Sequence, residues 1–292
     1  MVSPRRSFGL AAHPLHHQGT DGSLAQWVRH SEQALRSLGL GIAAVGCTAD
    51  ALQHLGALQD LPGLARLPYG REGGIMRMVS RIAGGVDIGS ELAGAIYLLD
   101  PLHPSSLYPE VQALKRQCVT HDKPLLLTLA GAIEWMAIEL ALHTGVPLRA
   151  QPPAGVLPPQ QQSLALIAHD ALKPAMVAFA AKHFDLLSSA PERVATGTTG
   201  GRLNEMAWSR GWPRERPWVR PLRSGPLGGD VQIAELVLDG RCQKLLFFED
   251  VHVARPHEND ILTLERAVCT MGRTTACFNT PAMADAWARA WS

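Results

Sequence analysis

A run of seven residues, Ser224 to Asp230, combines a hydroxyl, three glycines and a carboxylate. The glycines let the backbone approach a ligand closely, so that amides and the Ser224 hydroxyl can surround an anion. Asp230 would then lie beside the bound group and could remove a proton from it. Taken alone, such a carboxylate is more typical of a helix N-cap, so its interpretation as a base depends on the other motifs.

Two further motifs in the same half of the chain supply partners for a phosphate. Residues 195–200 read Ala-Thr-Gly-Thr-Thr-Gly and open a predicted helix, which brings hydroxyls and amides to a positive helix end. Residues 168–173 read Ala-His-Asp-Ala-Leu-Lys, and the lysine adds a full positive charge. Taken alone, the first motif could equally be a capped turn between strand and helix. The histidine of the second motif could equally be one that is hydrogen-bonded to a buried carbonyl. The candidate ligands are His169, Asp170, Lys173, Thr196, Gly197, Thr198, Thr199, Ser224 and Gly225.

A second histidine could complete the chemistry. His257 and Asp260 are three residues apart and can share one face of a turn, as an imidazole that polarises a carbonyl or carries a proton would need. An ordinary surface turn is the alternative. Asp250, which follows an apolar run, could orient catalytic neighbours or cap a loop, and we expect the second. No pair here has HxxxH-type spacing and no cysteine joins them, so we expect no metal.

The elements that would position these residues alternate between strand and helix. Short apolar runs, 163–168 and 244–248, end in polar turns, and helix-length segments such as 173–182 follow. This alternation predicts an α/β fold of three layers, a doubly wound and mainly parallel sheet between helices. Ligands of such sheets bind at the carboxyl ends of the strands, where all the motifs above would meet.

The motif series occurs twice. A proline- and glutamine-rich stretch, 146–162, has neither helical nor strand periodicity and is predicted to be a linker between domains 1–145 and 163–292. Glycine-rich and histidine motifs recur across it in the same order, at offsets of 150 to 156 residues, as a duplication would give. The sequence therefore predicts two tandem domains of one fold.

Composition excludes several classes of protein. The chain has 292 residues, a formal net charge of +1 and 46% hydrophobic residues, which favours neither nucleic acid nor a membrane surface as partner. Five cysteines without a CxxC pair indicate a reducing cytoplasm. The most apolar stretch, 125–142, contains Glu134 and Glu139, so a buried strand and a packed helix explain it better than a membrane span.

Taken together, the motifs AHDxxK, ATGTTG, SGPxGGD, FFxD and PHxxD, in this order, resemble those of methylglyoxal synthase, over about residues 164–285. The resemblance implies conversion of dihydroxyacetone phosphate to methylglyoxal and inorganic phosphate without a cofactor, on a three-layer fold that usually forms homohexamers. It further implies that Asp230 is the base, that His257 supported by Asp260 acts on the enediolate oxygen, and that the candidate phosphate ligands bind substrate.

The first domain departs from this pattern. Ile75 replaces the base, Tyr69 the serine, His17 the lysine and Leu107 the second histidine, while His13, Gly46, Thr48 and Asp100 are retained. An aliphatic side chain cannot abstract a proton, so we expect this copy to be inactive and to have a structural or regulatory role. One chain could then fill two subunit positions of a pseudo-hexamer.

The segment 202–223 alternates three tryptophans with six arginines. That pattern can bind nucleic acid, but we expect instead a loop anchored on the other domain or on a neighbouring chain. The main alternative to an enzyme is a non-catalytic sensor of phosphate or a metabolite. Asp230 argues against it, because a carboxylate beside an anion opposes binding unless it serves a reaction.

Overall fold

Short apolar runs form the central strands of two parallel sheets, one in each half of the chain. The computed structural model describes residues 6–253 and 257–292, so that Pro256 of the predicted PHxxD motif lies outside the described residues. One unit consists of Met1–Gly145 with Pro153–Gly155, and the other of Val146–Pro152 with Val156–Ser292.

The first unit contains a five-stranded sheet in the order β3-β2-β1-β4-β5, and every pair of neighbouring strands is parallel. Strands β2 and β4 are buried along their whole length, because helices cover both faces of such a sheet. The strands are β1 (Arg6–Ala12), β2 (Leu40–Ala44), β3 (Leu64–Arg66), β4 (Gly94–Leu98) and β5 (Leu125–Leu126).

Helices follow each strand of the first unit, with short 3-10 turns at several strand ends. Thr128 caps the last of these helices, and its hydroxyl accepts a hydrogen bond from the amide of Gly131. The apolar stretch 125–142 is thus a short strand followed by a helix, as predicted. The helices are α1 (Ser23–Leu38), α2 (Gly46–His54), α3 (Gly74–Ile82), α4 (Pro109–Thr120) and α5 (Leu129–Thr144), and the 3-10 turns are Pro14–His17, Gly70–Glu72 and Pro104–Leu107.

The second unit repeats this topology. Its sheet has the order β10-β9-β6-β7-β8, which is the same arrangement when its strands are counted along the chain, and all neighbours are again parallel. The predicted three-layer α/β fold with a parallel sheet is therefore confirmed for both units. The strands are β6 (Leu164–Ala168), β7 (Arg193–Ala195), β8 (Arg220–Pro221), β9 (Lys244–Phe248) and β10 (Ala276–Phe278).

Three helices of the second unit begin within or directly after the sequence motifs. Helix α8 opens inside the threonine motif, α9 inside the serine motif and α10 just after His257. The helices are α6 (Lys173–Lys182), α7 (Phe184–Ser188), α8 (Gly197–Ser209), α9 (Gly229–Leu238), α10 (Glu258–Thr270) and α11 (Pro281–Trp291), and the 3-10 turns are Pro159–Gln161, Asp170–Leu172 and Gly225–Leu227.

In the sheet of the second unit, the side on which successive strands are added switches between β6 and β9. Strands β7 and β8 lie on one side of β6, and β9 and β10 lie on the other. Loops that leave the carboxyl ends of β6 and β9 therefore diverge and open a crevice, the usual ligand position in such sheets. His169 and Asp250 follow these two strands directly or within two residues.

Two tryptophans of the tryptophan- and arginine-rich segment, Trp212 and Trp218, pack against residues of their own unit. The Trp218 ring stacks on Phe184 at 5.2 Å, and its indole donates to the Ser188 hydroxyl at 2.8 Å. The guanidinium of Arg193 lies over Trp218, and that of Arg216 lies 4.7 Å from the centre of Trp212. Cations of the same chain thus occupy the ring faces that a nucleobase would need.

No helix among residues 6–253 and 257–292 combines the length and the apolar character needed to cross a bilayer.

Candidate active site

A cavity of about 250 Å³ lies among the turns that follow β6, β7, β8 and β9 in the second unit. It is smaller than the roughly 300–1,000 Å³ of clefts that hold drug-sized ligands, which suits a small substrate. Nine of the twelve residues predicted from the motifs line it. The turns after four different strands therefore meet at this cavity. The lining residues are Ile167, Ala168, His169, Asp170, Lys173, Thr196, Thr198, Ser224, Gly225, Pro226, Asp230 and His257.

Lys173 supplies positive charge to the wall of this cavity. Its ammonium group donates to the Thr198 hydroxyl at 2.5 Å and forms an ion pair with Asp170. The lysine begins α6 and the threonine lies in the first turn of α8, so the ammonium group lies beside a helix N-terminus. An ammonium group, a hydroxyl and a positive helix end together favour a bound oxyanion.

The proton of His169 is positioned by a backbone contact. The amide of Asp250 donates to Nδ1 of the imidazole at 2.8 Å, so Nδ1 is an acceptor and the neutral ring carries its proton on Nε2. The Asp250 carboxylate itself accepts from the amide of His252 at 3.0 Å. Asp250 thus caps its own loop, as the sequence predicted, and also fixes the tautomer of a histidine in the cavity wall.

Asp230 is a buried carboxylate in contact with a histidine. Its side chain is 4% exposed, and its Oδ2 lies 3.7 Å from Nε2 of His257. Burial raises the pKa of Asp230; His257 acts in the opposite sense but is outweighed, and Asp260 adds to the rise. A carboxylate that is poorly solvated and held beside an imidazole is a stronger base than an exposed one.

Glycines create the space for this pair. A Cβ at Gly225 would lie 2.9 Å from Nε2 of His257 and 3.0 Å from Oδ2 of Asp230, so any side chain there displaces one of them. A Cβ at Gly229 would lie 2.0 Å from the carbonyl oxygen of Arg223, and Gly228 has φ +90°. The tight Gly-Gly turn therefore brings Asp230 into the second position of α9, directed at the cavity.

Three predicted residues do not line the cavity. The amide of Gly197 donates to the carbonyl of Arg223 at 2.9 Å, so it is occupied within the fold. Thr199 is buried, and its hydroxyl accepts from that of Thr196 at 3.4 Å. Asp260 lies in the first turn of α10, where its amide donates to the carbonyl of His257.

The predicted support of His257 by Asp260 is not the observed arrangement. The carboxylate close to the imidazole is that of Asp230, which comes from a different helix, and within the described residues Nδ1 of His257 has no hydrogen-bond partner. Residue spacing predicted a pair of His257 and Asp260 on one turn, whereas the fold brings His257 next to Asp230 from a different turn.

Three residues of the cavity wall were not among the predicted site residues. Ile167, Ala168 and Pro226 supply apolar wall to the cavity. Their positions were available in the sequence, because the first two end the apolar run before His169 and the third lies inside the serine motif. No residue type marked them, since apolar side chains in a strand are expected in the core.

The corresponding rim of the first unit has other side chains. Tyr69 precedes the same Gly-Gly turn, and its hydroxyl donates to Asp50 at 2.8 Å. Ile75 is buried at the position of Asp230, and the imidazole of His17 hydrogen-bonds the carbonyl of Ala12. The helix α4 is capped by Tyr108, so the position of His257 corresponds to Tyr108, one residue after the expected Leu107.

Within the described part of the chain, no group of three or more His, Cys, Asp or Glu side chains is arranged to hold a metal ion.

Over 110 residues the chain is 46% identical to a methylglyoxal synthase of Thermus thermophilus, a stretch that covers 38% of this chain and 79% of that protein. The chain belongs to the methylglyoxal synthase family. It is also 44% identical over 110 residues to the methylglyoxal synthase of Cupriavidus taiwanensis, covering 37% and 75%, and 43% identical over 108 residues to that of Agrobacterium fabrum, covering 36% and 77%. The resemblance read from the motifs is confirmed.

A crystal structure of methylglyoxal synthase from Elizabethkingia anophelis is similar to 44% of this chain and 76% of its own, with 32% identity and a TM-score of 0.37. No protein-family model matches the chain. The matches to family members span little more than a third of the chain, so this methylglyoxal synthase family protein carries a second unit's worth of sequence beyond them.

Proposed function

We propose that the second unit is a methylglyoxal synthase, which converts dihydroxyacetone phosphate to methylglyoxal and inorganic phosphate. The observation that supports this most is the position of Asp230, a buried base that shares one small cavity with Lys173 and the threonine and serine hydroxyls. The substrate needs both a phosphate site and a base within three carbon atoms of it. A cavity of this size brings the two within that distance.

The first step is proton abstraction. Asp230 removes a proton from the hydroxymethyl carbon, and the electron pair moves onto the ketone oxygen to give an enediolate. Hydrogen-bond donors near that oxygen stabilise the negative charge, and the ring nitrogens of His257 and His169 are assigned this role. His169 can donate from Nε2 because the amide of Asp250 occupies Nδ1.

The second step is elimination of phosphate. The hydroxyl on the deprotonated carbon loses its proton to the leaving phosphate and becomes the aldehyde carbonyl. The electrons of the enediolate double bond move to form a new double bond to the far carbon, as the bond between that carbon and the phosphate oxygen breaks. Lys173, Thr196, Thr198, Ser224 and the amide of Gly225 stabilise the charge that collects on the leaving group. Tautomerisation of the resulting enol, with return of a proton to carbon, gives methylglyoxal. The atoms balance without a cofactor or a metal.

The test is turnover by the intact chain. Purified protein is incubated with dihydroxyacetone phosphate while methylglyoxal and free phosphate are followed. We expect Asp230→Asn to lower kcat by about 10²–10⁴-fold, the range for loss of a general base, and Ile75→Ala to leave it nearly unchanged. Equal loss in both variants would refute the assignment. Binding of phosphate without any methylglyoxal from the unmodified chain would favour the sensor function instead.

The domain assignment is part of the proposal: 1–145 is a degenerate copy, 146–162 a linker and 163–292 the catalytic domain. Support comes from the identical strand order of the two sheets and from the same Gly-Gly turn, with φ +87° at Gly73 and +90° at Gly228. We further propose a homo-oligomer in which the degenerate copy fills alternate positions of a pseudo-hexamer. A mass measurement that gave a stable monomer would contradict this assembly.

A cytoplasmic location also belongs to the proposal. All five cysteines are free thiols, and burial raises the pKa of Cys118 and of Cys242 to about 12. Such thiols resist oxidation because little thiolate forms at neutral pH. Fractionation of cells that produce the full chain would test this placement.

A further inference from the structure

The ion pair between Lys173 and Asp170 lies at the cavity wall, and its two members differ sharply in exposure. The lysine side chain is 10% exposed, whereas that of the aspartate is 93% exposed. The cation is therefore fixed in the fold, held also by the Thr198 hydroxyl, while the carboxylate reaches it from solvent. Both residues line the cavity in which phosphate is proposed to bind.

We propose that Asp170 competes with phosphate for Lys173: its carboxylate neutralises the lysine in the empty site, and an entering phosphate dianion displaces it toward solvent. This inference rests on the proposed function only in placing phosphate in this cavity. It replaces the prediction that Asp170 is itself a ligand of the substrate.

Electrostatics favour displacement over joint binding. A carboxylate that stayed on the ammonium group beside a dianion would add repulsion between like charges at contact distance. Asp170 is the first residue of a short 3-10 turn, so its side chain can rotate into water without disturbing a helix. An exposed carboxylate regains its full hydration when it leaves, which keeps the exchange inexpensive.

The first unit shows that the local 3-10 turn does not depend on Asp170. There the same 3-10 turn forms with Pro14 in place of Asp170, and His17 stands in place of Lys173. The turn therefore does not need the carboxylate. The two members of the ion pair are present together in the unit that has the oxyanion site and absent together in the other.

The consequence is a weaker hold on every phosphate that enters. Substrate and product phosphate both have to replace Asp170, so the carboxylate raises KM and the Kd of inorganic phosphate in parallel. Release of product is faster for the same reason. A negative group in this position would thus limit inhibition by the product of the reaction.

The experiment is calorimetric titration of the intact chain with inorganic phosphate at low and high chloride concentration. We expect Asp170→Asn to bind phosphate about 3- to 10-fold more tightly at low salt, with a smaller gain at high salt because the displaced interaction is ionic. Asp170→Glu should keep the original affinity, since the charge is retained. Asp185→Asn, on the exposed surface of α7, is the matched control and should change nothing.

Unchanged or weaker binding by Asp170→Asn would overturn the inference, the second result meaning that Asp170 orients the lysine or contacts the ligand. Turnover is measured separately and keeps the two proposals distinct. A lower KM with an unchanged or lower kcat in Asp170→Asn supports the competition. Tighter phosphate binding by a chain that forms no methylglyoxal would leave this inference standing and refute the proposed function.

Discussion

The two units of this chain share a strand order and a Gly-Gly turn, yet present different side chains at the same rim. In the second unit a buried carboxylate lies beside an imidazole and shares a cavity with a lysine. In the first unit the same positions have Ile75, Tyr108 and His17. The difference shows that the backbone arrangement does not by itself make this site, because the first unit has the backbone arrangement without the side chains.

The scaffold residues retained in the first unit are those with structural duties. The hydroxyl of Thr48 accepts from the amide of Ala12 at 2.9 Å, which ties the start of α2 to the end of β1. Thr199 is its counterpart and is likewise buried. The amide of Gly46 donates to the carbonyl of Pro68, as that of Gly197 does to Arg223. These contacts give the threonine and the glycine a structural role that does not depend on catalysis.

After Asp230→Asn, loss of the lysine should have the largest effect on activity. Lys173→Met removes the cation of the oxyanion site, and we expect KM for dihydroxyacetone phosphate to rise about 10- to 100-fold, the equivalent of a charged hydrogen bond of roughly 1.5–3 kcal/mol. His17→Met, its counterpart in the first unit, should leave kcat and KM unchanged. Steady-state kinetics on both variants decides it; similar losses would show that the first unit takes part in binding.

A single methyl group should distinguish the two glycine turns. Gly225→Ala places a carbon 2.9 Å from His257 and 3.0 Å from Asp230, so we expect kcat to fall by about 10-fold or more as one of them moves. Gly70→Ala is the matched control, because a Cβ there meets nothing within 4 Å. Kinetics and thermal unfolding of both variants test this. Full activity in Gly225→Ala would mean that the pair of Asp230 and His257 tolerates displacement.

The acid limb of activity should lie above that of an ordinary aspartate. Asp230 acts as a base only when ionised, and burial raises its pKa above 3.8, so activity is lost as pH falls through that raised value. The pH profile of kcat/KM measures it. An acid limb at or below pH 3.8, in a chain that is still folded there, would contradict the role of burial.

Stability should show the opposite preference. A carboxyl group whose pKa is raised in the folded state binds its proton more tightly there, so the folded state loses stability as pH rises from 3.8 to the raised pKa. Above that window the cost is complete, and Asp230→Asn, which has no charge, should unfold at a higher temperature than the unmodified chain. Ile75→Asn should instead destabilise the chain. A lower unfolding temperature for Asp230→Asn would show that its charge is satisfied.

The smallest expected effect is none at all. Ile75→Asp puts a carboxylate at the equivalent position of the first unit, but Tyr69 and His17 leave it without an oxyanion site. In an Asp230→Asn background this change should restore no methylglyoxal formation. Measurable rescue would mean that the first unit binds the substrate phosphate, and would break the division between the two units.

The sequence by itself determined the strands, the helices and the order of the motifs. Apolar runs such as 164–168 and 244–248 have few alternatives to buried parallel strands, and the Gly-Gly turns restrict the backbone locally. Nine of the twelve predicted site residues line the cavity, as expected from motifs that follow parallel strands and therefore meet at one edge. Signals of this kind act over a few residues, where steric and hydrophobic constraints are strong.

Only the tertiary structure decided which side chains touch. In the structure the imidazole of His257 lies near Asp230 and not near Asp260, and Thr199 is buried. The amide of Gly197 donates to a backbone carbonyl, and the side chain of Asp170 is exposed. The tryptophan-rich segment likewise packs on Phe184 of its own unit. Contacts of this kind depend on side-chain directions of elements that are distant in the chain, and residue types and spacing do not specify those directions.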